Sequence, residues 1–183
     1  MIGFGEFIEA RNIFNYIGHD MEMHFRLPCR EIHDLKEQYG SIIALVAKCS
    51  GTVDDDAENR IVMSINELIH NALKYRSSCT SVFVRIVILG DRLAIEVHNT
   101  VDQPTKFRFI RYLATLFNTD LDQMYYNQIH YLSEHPDSDR ASVGLITLLK
   151  DYGTQLGYIA NESDNKCRII AYALVTLEIK GDH

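Results

Sequence analysis

An α+β domain with a mostly antiparallel sheet and helices on one face is predicted by three observations. Two pairs of apolar, β-branched runs are each split by a turn: Ser81–Leu89 with Leu93–Val97, and Gln155–Ala160 with Cys167–Glu178. Two segments, 31–48 and the stretch from near Asp56 to Tyr75, carry apolar residues at spacings of three and four. The elements follow in the order helix, strand, strand, helical insert, helix, strand, strand, which suits antiparallel hairpins backed by helices.

In chain order, residues 1–30 carry Phe4, Phe7, Ile8, Phe14 and Ile17 in a helical or mixed pattern, and Pro28 breaks the segment and holds Leu27 extended. Ile32, Leu35, Tyr39, Ile42, Ile43 and Val46 predict a helix over 31–48, weakened by Gly40. The acidic run Asp54-Asp55-Asp56 opens the next helix, where carboxylates suit the positive end of the helix dipole. Gly90-Asp91 turns the first strand pair. Lys106–Phe117 and Leu121–Leu132 read as helices, and Pro136–Asp139 as a loop. Ser142–Tyr152 is a short apolar helix with Gly153 at its C′ position. The turn Asn161–Lys166 joins the last two strands.

Size and composition narrow the function. At 183 residues the chain fits a single domain, 1–183, with 1–50 as an N-terminal extension whose 31–48 helix is a candidate for pairing in a homodimer. A net charge of −7 argues against a nucleic-acid binder, which needs a basic face. The histidines lack zinc spacing, and the four cysteines lack a CxxC, so they read as reduced thiols of a cytoplasmic protein. No signal-peptide pattern opens the sequence, and no apolar run is long enough for a membrane span.

The chemistry concentrates in Asn66-Glu67-Leu68-Ile69-His70-Asn71-Ala72-Leu73-Lys74-Tyr75. At 100° per residue with Glu67 at zero, Asn71 falls near about +40° and Lys74 near about −20°, on one stripe. Ile61, Ile65, Leu68, Ile69 and Ala72 take the opposite, core-facing side. A carboxylate, an amide and an ammonium on one stripe make a reasonable place for Mg²⁺ and phosphate, because Mg²⁺ takes hard oxygen ligands such as an amide oxygen. The same stripe also fits an ordinary solvated helix face.

The string NELxxNAxKY resembles the N box of the GHKL ATP-binding superfamily, which holds gyrase-type ATPases, histidine kinases and anti-sigma-factor serine kinases. FGEF near the start, the strand ending VxNxV and the stretch SxGLITLLKDYGxxLGY extend the likeness over essentially the whole chain. They are similar to a small single-domain group that includes the SiaB-like protein kinases. The resemblance implies a Bergerat fold, bound ATP and Mg²⁺, and a STAS-like or SiaC-like protein partner.

Residue by residue, it implies that Asn71 ligates the metal, that Glu67 is the general base for a hydroxyl or water, and that Lys74 lies near the phosphates. Asn99 stands where the superfamily has an aspartate that accepts the adenine amino hydrogen, and Val101 stands where it has a glycine. The glycine-rich phosphate box is reduced to Ala141-Ser142-Val143-Gly144-Leu145. There Ser142 would be the N-cap, Gly144 the remaining glycine, and Arg140 a charged phosphate contact. Residues 102–141 occupy the place of the nucleotide lid, with Lys106, Arg108 and Arg111 as candidates for phosphate or partner contacts or for a solvated face. The function this implies is a serine/threonine protein kinase of a partner-switching system. The alternative is a catalytically inactive nucleotide sensor or scaffold.

Overall fold

The computed structural model describes residues 2–5, 7–16, 18, 20–28, 42, 46, 55–77, 80–135, 143–163 and 166–177. Among these the elements are β1 (Ile2–Gly5), α1 (Phe7–Phe14), β2 (Met21–Leu27), α2 (Asp55–Tyr75), β3 (Val82–Leu89), β4 (Arg92–Val101), α3 (Gln103–Leu116), α4 (Leu121–Glu134), α5 (Val143–Lys150), β5 (Gln155–Ser163) and β6 (Lys166–Thr176). The strands form one sheet in the order β1-β5-β6-β4-β3-β2, antiparallel at every junction. The α+β class and the antiparallel sheet are as the sequence predicts.

Alternation along the strands decides which face each helix covers. On β4, Leu93, Ile95, Val97 and Val101 point into the main core, and Ala94 points the other way. The main core also takes Val82, Val84, Ile86 and Ile88 from β3, and Ile169, Ala171, Ala173 and Val175 from β6. Against it lies α2, whose buried residues Ala57, Ile61, Ser64, Ile65, Leu68, Ile69, Ala72 and Leu73 recur at helical spacing. Each fully buried Ile or Leu in that stripe is worth about 1.5–3 kcal/mol. Asp55, Asp56 and Glu58 fill the first turn of α2 and Lys74 the last, so charges oppose the dipole at both ends.

Two features differ from the sequence reading. Helices cover both faces of the sheet, not one. Ile13 and Phe14 of α1 pack with Val87, Ala94, Ile159, Tyr172 and Leu174, which alternate away from the main core and would otherwise be bare. The N-terminal segment is not simply a helical extension, because it supplies both edge strands. In β2, Met21, Met23, Phe25 and Leu27 turn toward the main core while Glu22, His24 and Arg26 turn away, and polar outward residues suit a sheet edge. Of the predicted 31–48 helix, Ile42 and Val46 are helical and buried in the main core, and the rest lies outside the described residues. No helix among the described residues is long and apolar enough to cross a membrane.

Strand β4 runs on to Val101, beyond the predicted Val97, because β6 offers a partner for each further residue, including Asn99 opposite Ile169 and Val101 opposite Cys167. Asn99 therefore sits inside the sheet and faces α2. Helix α5 ends at Lys150, two residues short of the predicted Tyr152, and Gly153 takes the positive φ expected of it, +59°, with Thr154 N–H returning to the Leu148 carbonyl at 2.9 Å.

Candidate functional site

Glu67 and Asn71 are half-buried on α2, one turn apart, and the Asn71 amide donates to Glu67 Oε1 at 2.6 Å. A carboxylate only accepts, so the bond fixes the amide with Nδ2 toward Glu67 and leaves Oδ1 for another partner. The other oxygen of Glu67 lies against Gly144 near the start of α5. A Cβ built on Gly144 would overlap the Glu67 carboxylate. Glycine is therefore the residue that lets α5 approach α2 with the acid between them. A carboxylate in the first turn of a helix is also favoured by the dipole. Behind this contact, buried Ser64 and Thr154 share a hydroxyl–hydroxyl hydrogen bond of 3.3 Å that ties α2 to the segment after α5.

Asn99 is 7% exposed, and its Nδ2 donates to the Ala72 carbonyl of α2 at 3.2 Å. A carbonyl only accepts, so this amide too is fixed, with Oδ1 left as an acceptor without a hydrogen bond among the described residues.

The two amides line adjoining hollows. The outer one, about 450 Å³, lies between Asn71 and Tyr75 of α2, Thr105, Arg108, Phe109 and Tyr112 of α3, and Leu145 of α5. The inner one is a recess of about 30 Å³ that shares Asn71, Tyr75, Phe109 and Leu145 with it. Its floor is formed by Val97 and Asn99 of β4, Tyr158 of β5, and Ile169 and Ala171 of β6. Tyr158 is buried, packs edge-on against Phe109 with centroids 5.4 Å apart, and its hydroxyl has no hydrogen-bond partner among the described residues. Burial, with the nearby Tyr112 and Glu67, pushes the Tyr158 hydroxyl well above the ordinary tyrosine range, so it stays a donor.

α3 walls the outer hollow because its first turn is pinned. Asp102 caps it, accepting from Thr105 N–H at 2.7 Å, and hydrogen bonds from Thr105 hold the Asp102 carboxyl below its ordinary value. Gln103 hydrogen-bonds Glu162 of β5, and Lys106, 8% exposed, donates to Glu162 at 3.2 Å. The bonds from Gln103 and then Lys106 lower the Glu162 carboxyl from its ordinary value. Lys106 is thus neither a solvated charge nor a free phosphate contact. It is a positioning residue for α3, drawn inward by an acid the sequence reading did not pair with it. Arg108 is exposed at the rim of the hollow, and Arg111 lies outside it beside Phe107 and Thr115.

Of the sequence candidates, Asn71 and Asn99 line the hollows, and Glu67 and Gly144 line neither but meet beside Asn71. Lys74 does not line either hollow, and its ammonium lies 5.5 Å from the Tyr75 ring centre. Arg140 and Ser142 lie outside the described residues. Thr105, Phe109 and Tyr112 lie in no motif, and Tyr75 and Tyr158 end the two longest motif strings without a role attached to them. The aromatic spacing of three between Phe109 and Tyr112 on a predicted helix was the available signal for α3.

The donor set bears on whether Mg²⁺ and a nucleotide fit. No group of three or more His, Cys, Asp or Glu side chains that could hold a metal occurs among the described residues. Mg²⁺ commonly takes one or two protein oxygens together with phosphates, and Asn71 Oδ1, which has no hydrogen bond among the described residues, fits that mode. No protein-family model matches this sequence, and comparison with curated proteins gives no match.

Proposed function

We propose that this chain is an ATP- and Mg²⁺-binding regulatory protein of the GHKL type with a Bergerat fold, acting as a serine/threonine protein kinase on a partner protein. The observation that carries this reading is that Asn71 and Asn99 line one two-part hollow while Glu67, bonded to Asn71, rests on Gly144 beside it, although the four residues come from three separate elements. The Asn99 Oδ1 would accept the amino hydrogen of adenine, a role a neutral amide performs as an aspartate does. The Asn71 Oδ1 would hold Mg²⁺, which supplies charge neutralisation on the phosphate oxygens. Backbone N–H groups at the start of α5 would receive phosphate. Glu67 would take the proton from the partner's hydroxyl as its oxygen attacks the γ-phosphorus and ADP leaves. Arg108 at the rim is a candidate to contact phosphate or partner. The partner class is a STAS-like or SiaC-like regulator, met in the cytoplasm, with the 31–48 helix a candidate for self-pairing.

One observation favours the alternative of an inactive nucleotide-sensing scaffold. Glu67 Oε1 is bonded by Asn71 and the carboxylate is packed against Gly144, so the base must shed the Asn71 bond or turn its second oxygen away from the glycine to act. Incubation with γ-labelled ATP, Mg²⁺ and the candidate regulator separates the two. A kinase labels a serine or threonine of the partner, and Glu67→Gln loses the label while retaining bound ATP. A scaffold binds ATP, transfers nothing, and is indifferent to Glu67→Gln.

A further inference from the structure

The inner recess holds a group that the motif roles above do not use. Tyr158 is 2% exposed, its hydroxyl lacks a partner among the described residues, and it lines the recess whose floor it shares with Asn99. Leaving a buried hydroxyl unbonded costs free energy, and most such groups in native proteins are satisfied. The pocket has room for a solution. At about 30 Å³ the recess takes a water or the edge of a ring, and it adjoins a hollow of about 450 Å³ able to hold the body of that ring.

Sheet register gives the spacing. Tyr158 lies opposite Ala171, and Ala171 opposite Val97, so Tyr158 is two strands from β4 on the same face. Asn99 is one further same-face step along β4. Two inter-strand steps and one two-residue step put the Cα atoms of Tyr158 and Asn99 about 12 Å apart. Both side chains stand on the same face of the sheet and line the same recess, and a Cα spacing of that size leaves room between them for a bicyclic heterocycle. One presents a fixed acceptor, Asn99 Oδ1, and the other a donor that stays protonated.

We infer that Tyr158 is a specificity residue for an aminopurine: its hydroxyl donates to a ring nitrogen of the base whose amino group is accepted by Asn99. This rests on the nucleotide reading above and adds a second point of recognition on the far strand of the site. It also explains why a base could be selected here without the aspartate of the resembling superfamily. Asn99 rejects a 6-oxo base because its donor is committed to Ala72, and Tyr158 rejects a ring that offers no acceptor.

Calorimetric titration of the full chain in Mg²⁺ buffer tests this with ADP and its 1-, 3- and 7-deaza analogues, on the wild type and on Tyr158→Phe. The expected result is that Tyr158→Phe weakens ADP about tenfold, the size of one neutral hydrogen bond. One deaza analogue should bind the wild type about tenfold more weakly than ADP and be indifferent to the substitution. Phenylalanine keeps the ring contacts with Phe109 and Phe117, so its melting temperature should not fall. Equal ADP affinity in wild type and variant overturns the inference while leaving nucleotide binding intact. So does a uniform weakening of ADP and all three analogues, which would mean a packing effect. If the variant fails to fold, the wild type alone decides, because equal binding of ADP and every deaza analogue overturns the role. No uptake of adenine nucleotide by the wild type overturns both this inference and the reading it rests on.

Discussion

The Glu67 carboxylate occupies the space a side chain at Gly144 would need, so helices α2 and α5 are registered through an acid resting on a glycine. Gly144→Ala therefore sets a methyl against the end of a flexible side chain and not against backbone. The side chain yields before the fold does. Alanine gains up to about 1 kcal/mol of helix propensity over glycine, which offsets the displacement, so unfolding free energy should change by less than about 1 kcal/mol. Glu67 is nonetheless pushed from Asn71. Under the kinase reading, partner labelling should fall as far in Gly144→Ala as in Glu67→Ala, with the double variant no worse than either. Additive losses would mean that the two residues act separately.

Much of the frame was legible from residues alone. The eight buried positions of α2 repeat at helical spacing, and the β3–β4 and β5–β6 hairpins announce themselves by β-branched runs around turns. Glu67, Asn71 and Gly144 were legible through a motif, because one helix face and one close approach leave a mark in local sequence. The strand β2 was missed, although Met21, Met23, Phe25 and Leu27 alternate, because charged residues at an edge mimic a loop. The pairing of Lys106 with Glu162 and the burial of Tyr158 were not legible. The first joins helix α3 to a strand 56 residues further on, and the second depends on Phe109 of α3 covering a face of β5, so both rest on how α3 packs on the sheet.

Asn99→Asp would restore the acid of the resembling superfamily, yet the local bonding predicts a loss of stability. Asn99 donates to the Ala72 carbonyl from a buried position, and a carboxylate has no hydrogen to give. Two acceptors would face each other, at a cost of about 1–3 kcal/mol. Urea denaturation at neutral pH measures it. A variant as stable as the wild type would mean that the α2 carbonyl finds another donor.

On the outer face of the sheet, Glu96 sets an acid limb to the stability. Burial pushes its carboxyl up, but the hydrogen bond and charge of His98, at 3.1 Å, with Tyr172 and Arg85, outweigh that and bring it below the ordinary 4.5. A carboxyl lowered on folding contributes stability that is present above its unfolded pKa and lost as pH falls through the folded one. Urea midpoints should therefore decline as pH drops below about 4.5, and Glu96→Gln should make that decline shallower. An unchanged slope in the variant would assign the acid limb to other carboxylates.

Tyr158 sets the alkaline limb, and its sign is opposite. Burial, then Tyr112 and Glu67, raise its hydroxyl well above the ordinary tyrosine value of 10.0, so on raising pH the unfolded chain ionises first. The stability this represents is whole below pH 10 and drains away as pH climbs past it, because ionisation then favours the unfolded state. Tyr158→Phe removes both the titration and an unpartnered buried hydroxyl. At neutral pH the variant should be as stable as the wild type or more stable, by up to about 1–3 kcal/mol, the cost of an unbonded buried polar group. Above pH 10 its unfolding free energy should fall less steeply, with Tyr172, also raised by burial and by Glu96, left to supply part of the remaining slope. A destabilised Tyr158→Phe at neutral pH would show that the hydroxyl is bonded in the folded chain, and would leave the recess without a donor to offer a ligand.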